Sequence, residues 1–389
     1  VSQHRPSRPD NIQVVESAAD LHDVCGRLAA HPWIALDTEF MRESSYYPQL
    51  CYVQLAIPDR VYLIDPLALE DLDPLFAILT DAGIEKVIHS ARQDLEAIYR
   101  RGGAVAAPIF DTQLAANFLG LPEQISYAGL VQAKLGLHLP KDHSRTDWTA
   151  RPLTAEQIDY AVDDVAHLAA LYPGMRAEME ERGRLAWLEE ERAGIARALD
   201  IHVEPDTAWM RVGALQRLSG ARLAVGQALA AWREETAQQQ DLPRKWVLDD
   251  DSLVAIARSR PRSEADLNSI RGLNSRTRKR YGAAIIQVVA DSVDHLPRGT
   301  LPVKEALRHD QRAVLDLLMA VVRVRAVQLH IAPSLLVRRD DLENWLKGEG
   351  DPAFLTGWRR DAIGGQLLEV RAGAIGLFLQ KDALILRKS

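Results

Sequence analysis

Four carboxylates and one phenol are the side chains in this chain best suited to carry chemistry. They are Asp37 and Glu39 flanking Thr38, then Asp94, then Tyr160 with Asp164. Gathered in one place, such carboxylates repel one another, and a divalent cation between them removes the repulsion. Two cations about 3.5–4 Å apart can clamp the attacking and leaving oxygens of a phosphoryl displacement. The set therefore points to phosphodiester hydrolysis, provided that the fold brings three distant segments together. Asp37 and Glu39 are two apart, after the apolar run Trp33-Ile34-Ala35-Leu36, so strand alternation puts both on one face at the strand end. Asp94 falls in the first turn of a helix expected after the strand Lys86–His89, with Ser90 as its N-cap. Tyr160 and Asp164 are four apart on an expected helix and share a face. Asp163 is the rival carboxylate, turned partly away. Each cluster alone also has an ordinary reading: solvated acids at a strand end, an acid at a helix start, a surface Tyr-Asp pair.

The elements that must position these groups are legible in outline. Trp33–Leu36, Tyr52–Ile57 and Val61–Ile64 read as an antiparallel meander, with Pro58-Asp59-Arg60 as a turn. Lys86–His89 and Ala107–Phe110 read as further strands, each followed by a helical pattern. That mixture implies an α/β domain, a mixed sheet flanked by helices, over residues 11–200. Thr154 is the expected N-cap of the helix carrying Tyr160 and Asp164, and Pro173 its expected end or kink. A charged helix, Met175–Leu199, and a linker, Asp200–Thr207, follow. From Ala208 onward the pattern is almost wholly helical. Leu242-Pro243 with Asp250-Asp251 is echoed by Ala332-Pro333 with Asp340-Asp341, a degenerate repeat. Two all-α helical bundles are expected, over 208–292 and 300–385, with a linker at Pro297–Pro302. The tail Gly376–Leu386 is expected as a hairpin or a helix. Residues 1–10 read as a disordered lead-in with no signal-peptide core.

Composition narrows the classes further. At 389 residues the chain has room for two or three domains. No apolar stretch approaches the roughly 18–20 residues of a membrane span. Cys25 and Cys51 sit in apolar surroundings and read as buried free thiols, which places the chain in a reducing, cytoplasmic setting. The net charge of −7 hides an asymmetry: residues 207–389 hold 29 Lys and Arg against 21 Asp and Glu, and the front half is strongly acidic. A basic rear half behind an acidic front suits a polyanion-binding module joined to a metal-dependent catalytic domain. Its densest basic cluster is Arg271, Arg276, Arg278, Lys279 and Arg280, with Arg258, Arg260 and Arg262 as a second. Trp232, Trp246, Trp345 and Trp358 fit helix packing better than base stacking.

The order of the acids and the strings around them sharpen the reading. "ALDTEFMRE", "VIHSARQDLEAI", "FDTQLAANFLG" and "SRTDWTARPLTAEQIDYAVDDVAHL" resemble bacterial ribonuclease D, a tyrosine-bearing member of the DEDD exonuclease superfamily. "LAAWREETAQQQDLPRKWVLDDDSLVAIA" resembles the HRDC domain, and the second helical unit matches it more weakly. The resemblance implies a ribonuclease H-like sheet followed by two HRDC-type bundles. It implies a 3′-5′ exoribonuclease releasing nucleoside 5′-monophosphates, with tRNA precursors and other structured RNAs bearing a free 3′ end as partners. It implies two Mg²⁺ or Mn²⁺ ions held by Asp37, Glu39, Asp94 and Asp164, with Tyr160 orienting the attacking water. No organic cofactor and no membrane enter. Substrate contacts are expected at Thr38, His89, Lys141, Arg145 and Trp148; a buried structural role is the alternative for His89 and the favoured one for Trp148. Asp111-Thr112 reads as a helix cap. Two rival readings stay open: a DNA exonuclease of the same catalytic type, and a non-catalytic nucleic-acid-binding scaffold. The absence of a GxxxxGK[ST] string excludes a P-loop helicase.

Overall fold

The computed structural model describes residues 12–139, 146–198, 203–297 and 306–388. The expected lead-in at 1–10, and Lys141 and Arg145, lie outside the described residues. The chain forms two compact units: Val1–Glu39 with Cys51–Ala198 and Glu305–Ser389, and Phe40–Leu50 with Leu199–Lys304.

The first unit is built on a six-stranded sheet. In chain order come β1 (Ile12–Val15), α1 (Ala18–Leu28), β2 (Trp33–Met41), β3 (Gln49–Ile57), β4 (Arg60–Ile64), α2 (Asp73–Thr80), β5 (Glu85–Ile88), α3 (Arg92–Gly102), β6 (Ile109–Asp111), α4 (Thr112–Phe118), α5 (Tyr127–Leu135), α6 (Ala155–Glu181) and α7 (Leu185–Ala198). The strand order is β1-β4-β3-β2-β5-β6, with β3 and β4 antiparallel and β1, β5 and β6 joined in parallel pairs. This is the expected mixed sheet flanked by helices. β1, a four-residue edge strand, was not expected; its register pairs Ile12 with Val61 and Val15 with Ile64. α6 runs unbroken for 27 residues with Pro173 inside it, where the sequence pattern predicts an end or kink. Tyr172, Met175 and Met179 are all buried on both sides of the proline, and that packing outweighs one lost backbone bond. The helix ends instead before Gly183, whose φ of +65° a side chain would strain.

Lys86 of β5 is fully buried. Its ammonium donates to the carbonyls of Asp81, Ile84 and Ala107, which ties the end of α2 and the entry to β6 to the strand. Burial pulls its pKa down to about 8.

The chain returns to this unit through α13 (His309–Leu329), α14 (Pro333–Leu336), α15 (Arg339–Lys347), α16 (Gly357–Arg359), a π-helical turn Arg360–Gly364, α17 (Gly365–Arg371) and the hairpin β7 (Ile375–Gln380) and β8 (Ala383–Lys388). These helices do not form a separate core. Phe118, Leu119, Val131 and Met175 share one apolar cluster with Leu315, Val322, Leu342 and Trp358. Trp187 of α7 stacks on Trp358 at 4.5 Å between ring centroids, with Arg184 over the Trp187 ring and Arg359 over the Trp358 ring. Gly120 allows a close approach of this segment: a Cβ there would sit 2.4 Å from the His330 carbonyl oxygen. The tail is a hairpin, one of the two expected forms.

The second unit holds α8 (Gly220–Gln239), α9 (Arg244–Val247), α10 (Asp250–Ser259), α11 (Glu264–Asn268) and α12 (Ser275–Ser292). Part of the expected linker belongs to it: Pro205–Arg211 is a 3-10 turn that buries Trp209 in the helical core. The connector between β2 and β3 also belongs here. Tyr46 donates its hydroxyl to buried Glu234, which Arg244 grips with two donors. The backbone N–H groups of Tyr46 and Tyr47 each donate to Asp241 at 3.0 Å. Trp345 and Trp358 are buried as expected, but Trp246 is half exposed. The helices of 220–259 and 309–347 run in the same order and in similar lengths. α8 and α13 have 20 and 21 residues, α9 and α14 four each, α10 and α15 ten and nine.

Candidate active site

The candidate site belongs to the first unit and is assembled from β2, α3 and α6. β2 continues to Met41, so Asp37 and Glu39 lie within the strand and not at its end. The acids break the apolar run, which is why the sequence pattern stops too early. β2 is interior to the sheet, between β3 and β5, and Glu39 is buried.

α6 is fixed at its start by a capping box. Thr154 accepts from the Gln157 N–H at 3.2 Å, and Gln157 accepts from the Thr154 N–H at 3.0 Å. The Gln157 amide also donates to Thr146 and to the Asp147 carbonyl. Arg151 completes the anchorage, donating from two nitrogens to Asp65 and to the carbonyls of Trp148 and Cys51 at 2.8 and 2.9 Å. Burial pushes Asp65 up, but Arg151 and the N–H groups of Leu67 and Ala68 outweigh it and hold the carboxyl below its ordinary value. The segment before the helix is thereby fastened to the sheet.

With these elements in place, carboxylate oxygens of Asp37, Glu39 and Asp164 all lie within 4.8 Å of one another. Asp94 stands beside them: its carboxylate accepts from the Thr38 hydroxyl at 2.6 Å. Burial, then the charges of Asp94, Asp164 and Glu39, push Asp37 well above the ordinary carboxylate range. Burial likewise pushes Asp94 up to about 7, against the hydrogen bonds from Thr38. A cluster that resists full ionisation by itself is one that a divalent cation stabilises. The donors are all carboxylate oxygens, which suit hard cations and not zinc. Among the described residues this is the one grouping of three or more such ligands. Tyr160 is half-buried, one helical turn before Asp164, its ring 6.1 Å from that of Trp148.

The expected substrate contacts fare differently. Thr38 is buried, and its hydroxyl is engaged with Asp94. His89 has both ring nitrogens occupied, by Thr112 at 3.0 Å and by the Ile125 carbonyl at 3.1 Å. Burial lowers its pKa, and because a carbonyl only accepts, Nε2 carries a proton toward Ile125. Trp148 is fully buried among Tyr52 and Tyr160, so no face is open to a base, and its place is structural. Ser90 is not the cap of α3; it takes a positive φ, and the Asp111 carboxylate accepts from the Ser90 and Ala91 N–H groups as well as from Gln113 and Leu114 at the start of α4. One aspartate thus fixes the starts of two helices.

Sequence reasoning passed over Arg151, Asp65 and Tyr127. Tyr127, at the start of α5, donates its hydroxyl to the backbone carbonyls of Asp163 and Asp164. Burial, then the charges of Asp164 and Asp37, push its phenol well above the ordinary value and keep it protonated. Only a tyrosine beside a small helix start was visible in the string, with no spacing to link it to a helix 36 residues later.

Comparison with known proteins agrees with this architecture. A profile of the 3′-5′ exonuclease domain matches residues 12–180, and one of the HRDC domain matches residues 222–289. The chain is 37% identical to ribonuclease D of Granulibacter bethesdensis over 97% of both chains. It is 38% identical to ribonuclease D of Pseudomonas paraeruginosa over 93% of this chain and 98% of that one. Its fold superposes on the crystal structure of Escherichia coli RNase D, described as an exoribonuclease involved in structured RNA processing. The TM-score is 0.81 at 33% identity, covering 93% of this chain and 99% of that one. With that identity along nearly its full length, and with Asp37, Glu39 and Asp164 converging in its exonuclease domain, the chain belongs to the ribonuclease D family of metal-dependent 3′-5′ exoribonucleases.

Proposed function

We propose that Asp37, Glu39, Asp94 and Asp164 hold two Mg²⁺ or Mn²⁺ ions and that the enzyme trims structured RNAs, tRNA precursors among them, from a free 3′ end. The observation that carries this reading is the convergence of Asp37, Glu39 and Asp164 within 4.8 Å. The ions supply Lewis acidity and a water of lowered pKa. Asp37, which feels the charges of the other three, would hold the ions together with Glu39 and Asp164. Asp94, held by Thr38, sits where it steadies the second position. Tyr160 orients the attacking water; a phenol, whose unperturbed pKa is near 10, is a poor base at neutral pH. In-line attack at the terminal phosphodiester then releases a nucleoside 5′-monophosphate and leaves a new 3′-hydroxyl.

We read residues 306–388 as a degenerate second HRDC-type copy, supported by the matching order and lengths of its helices. Arg271, Arg276, Lys279 and Arg280 are exposed around the start of α12 and suit a phosphate backbone.

The test is a product ladder from a 5′-labelled tRNA carrying a 3′ tail, with Mg²⁺ and with EDTA. Stepwise shortening from the 3′ end, mononucleotide release and full inhibition by EDTA are expected. Equal degradation of the matching DNA strand would overturn the RNA assignment, and no release under any metal condition would overturn catalysis.

A further inference from the structure

Helix α6 carries both Tyr160 and Asp164, so its rotation about its own axis decides how far each reaches toward β2. The capping box and Arg151 fix its first turn and the segment before it. Neither reaches the turn that holds Asp164, ten residues beyond the cap at Thr154. At that turn a different residue takes hold. The Tyr127 hydroxyl lies between two consecutive main-chain carbonyls, those of Asp163, at 3.0 Å, and of Asp164. The helix's own bonds already use one lone pair of each interior carbonyl, so the phenol takes the remaining direction.

Tyr127 is itself held. Its ring packs against His89, with 5.6 Å between centroids. The His89 ring bridges Thr112 at the start of α4 to the Ile125 carbonyl, two residues before Tyr127. Gln113 donates to the same Ile125 carbonyl at 3.1 Å. Asp111, next in line, fixes the starts of α4 and of the turn leading to α3, which carries Asp94. A continuous set of contacts thus runs from the sheet end at β6, through His89 and Tyr127, to the backbone of a candidate metal ligand.

We propose that Tyr127 is a positioning residue for the metal site, its hydroxyl setting the register of α6 so that the Asp164 carboxylate meets Asp37 and Glu39. This inference rests on the reading of Asp164 as a metal ligand given above. Tyr127 touches neither substrate nor the reacting atoms; it acts through the main chain of Asp164. His89 has the same standing one step further out, orienting the segment that presents Tyr127.

The test removes one hydroxyl. In Tyr127→Phe, Mn²⁺ binding, followed by the electron paramagnetic resonance signal of the free ion, is expected to weaken about five- to tenfold, the size of one net hydrogen bond. The kcat on a short 3′-hydroxyl RNA falls with it, while KM for the RNA stays within about twofold, because no substrate contact is lost. A purely structural tyrosine would lower Tm and leave Mn²⁺ affinity at the parent value, and that result overturns the proposal. Asp164→Asn separates this from the underlying reading. If Asp164→Asn loses Mn²⁺ while Tyr127→Phe binds it like the parent, the positioning role is wrong and the ligand assignment stands. If Asp164→Asn binds Mn²⁺ like the parent, the ligand assignment itself is wrong. In the double variant, adding Tyr127→Phe to Asp164→Asn is expected to cause no further loss of residual Mn²⁺ affinity, since the hydroxyl works through that carboxylate.

Discussion

At the scale of single residues, the chemistry depends on acids that are costly to leave ionised together. Asp37 bears most of that cost, because it is half-buried and feels Asp94, Asp164 and Glu39 at once. Replacing it with Asn keeps the shape and removes the charge offered to the proposed cations. Asp37→Asn is expected to lower kcat by about a thousandfold or more, equivalent to losing several kcal/mol of metal-borne stabilisation. RNA affinity, measured by fluorescence anisotropy with Ca²⁺ present, should stay within a few-fold. Tyr160→Phe deletes one oxygen from a half-buried ring packed on Trp148. Turnover is expected to drop about 10- to 100-fold, with Tm within a degree or two; full activity in that variant would remove Tyr160 from the mechanism. The sequence singles out these proposed site residues because their types are rare in combination and their spacings match strand and helix periods; the structure brings Asp37, Glu39 and Asp164 together. The residues that support them were not. Arg151 and Asp65 are 86 positions apart, and Tyr127 reaches Asp163 across 36. Nothing local marks such pairs until the sheet is formed.

At the scale of elements, the local patterns located the strands better than their ends. β2 overran its apolar run because Asp37 and Glu39, though acidic, continue the pleat into the site. Pro173 did not stop α6, since the buried side chains on either side hold the helix together. Ser90, a plausible cap by composition, was displaced by Asp111 arriving from the next strand. Lys86 shows the same dependence on tertiary context: a charged residue reads as solvated in sequence yet lies at the junction of α2, β5 and β6. Burial lowers its pKa from 10.5 to about 8, so the folded protein gives up this proton before the unfolded chain does. The associated cost to stability is full below about pH 8 and is relieved as the pH rises from there toward 10.5. Across that window, the Tm of the parent is expected to gain on that of Lys86→Met. A constant difference between the two curves would mean that the lysine titrates normally.

At the scale of the whole molecule, the division of the chain differs from the linear order of its segments. The sequence suggests a nuclease followed by two bundles in series. Instead residues 306–388 share a core with the exonuclease domain, through Phe118, Trp187, Leu315 and Trp358, and the first bundle takes the β2–β3 connector into its own unit. Hydrophobic periodicity marks which residues are buried, but not which partner covers them, so this arrangement could not be read from the string. A chain truncated after residue 305 is therefore expected to lose cooperative unfolding and resistance to proteolysis, since its large apolar partners would be stripped away at about 3–5 kcal/mol for each buried aromatic. Removing only β7 and β8, whose Phe378, Leu379 and Leu384 are largely exposed, should leave the fold intact. Equal behaviour of the two truncations would argue that the shared core contributes little.

The central claim is that four acids from three distant segments, Asp37 and Glu39, Asp94 and Asp164, close on a pair of hard cations. Anomalous scattering from crystals soaked in Mn²⁺ tests it most directly. Two peaks about 3.5–4 Å apart are expected, the first within coordination distance of Asp37, Glu39 and Asp164, the second on the side of Asp37 that faces Asp94. Mn²⁺ peaks elsewhere, with these carboxylates left uncoordinated, would contradict the account.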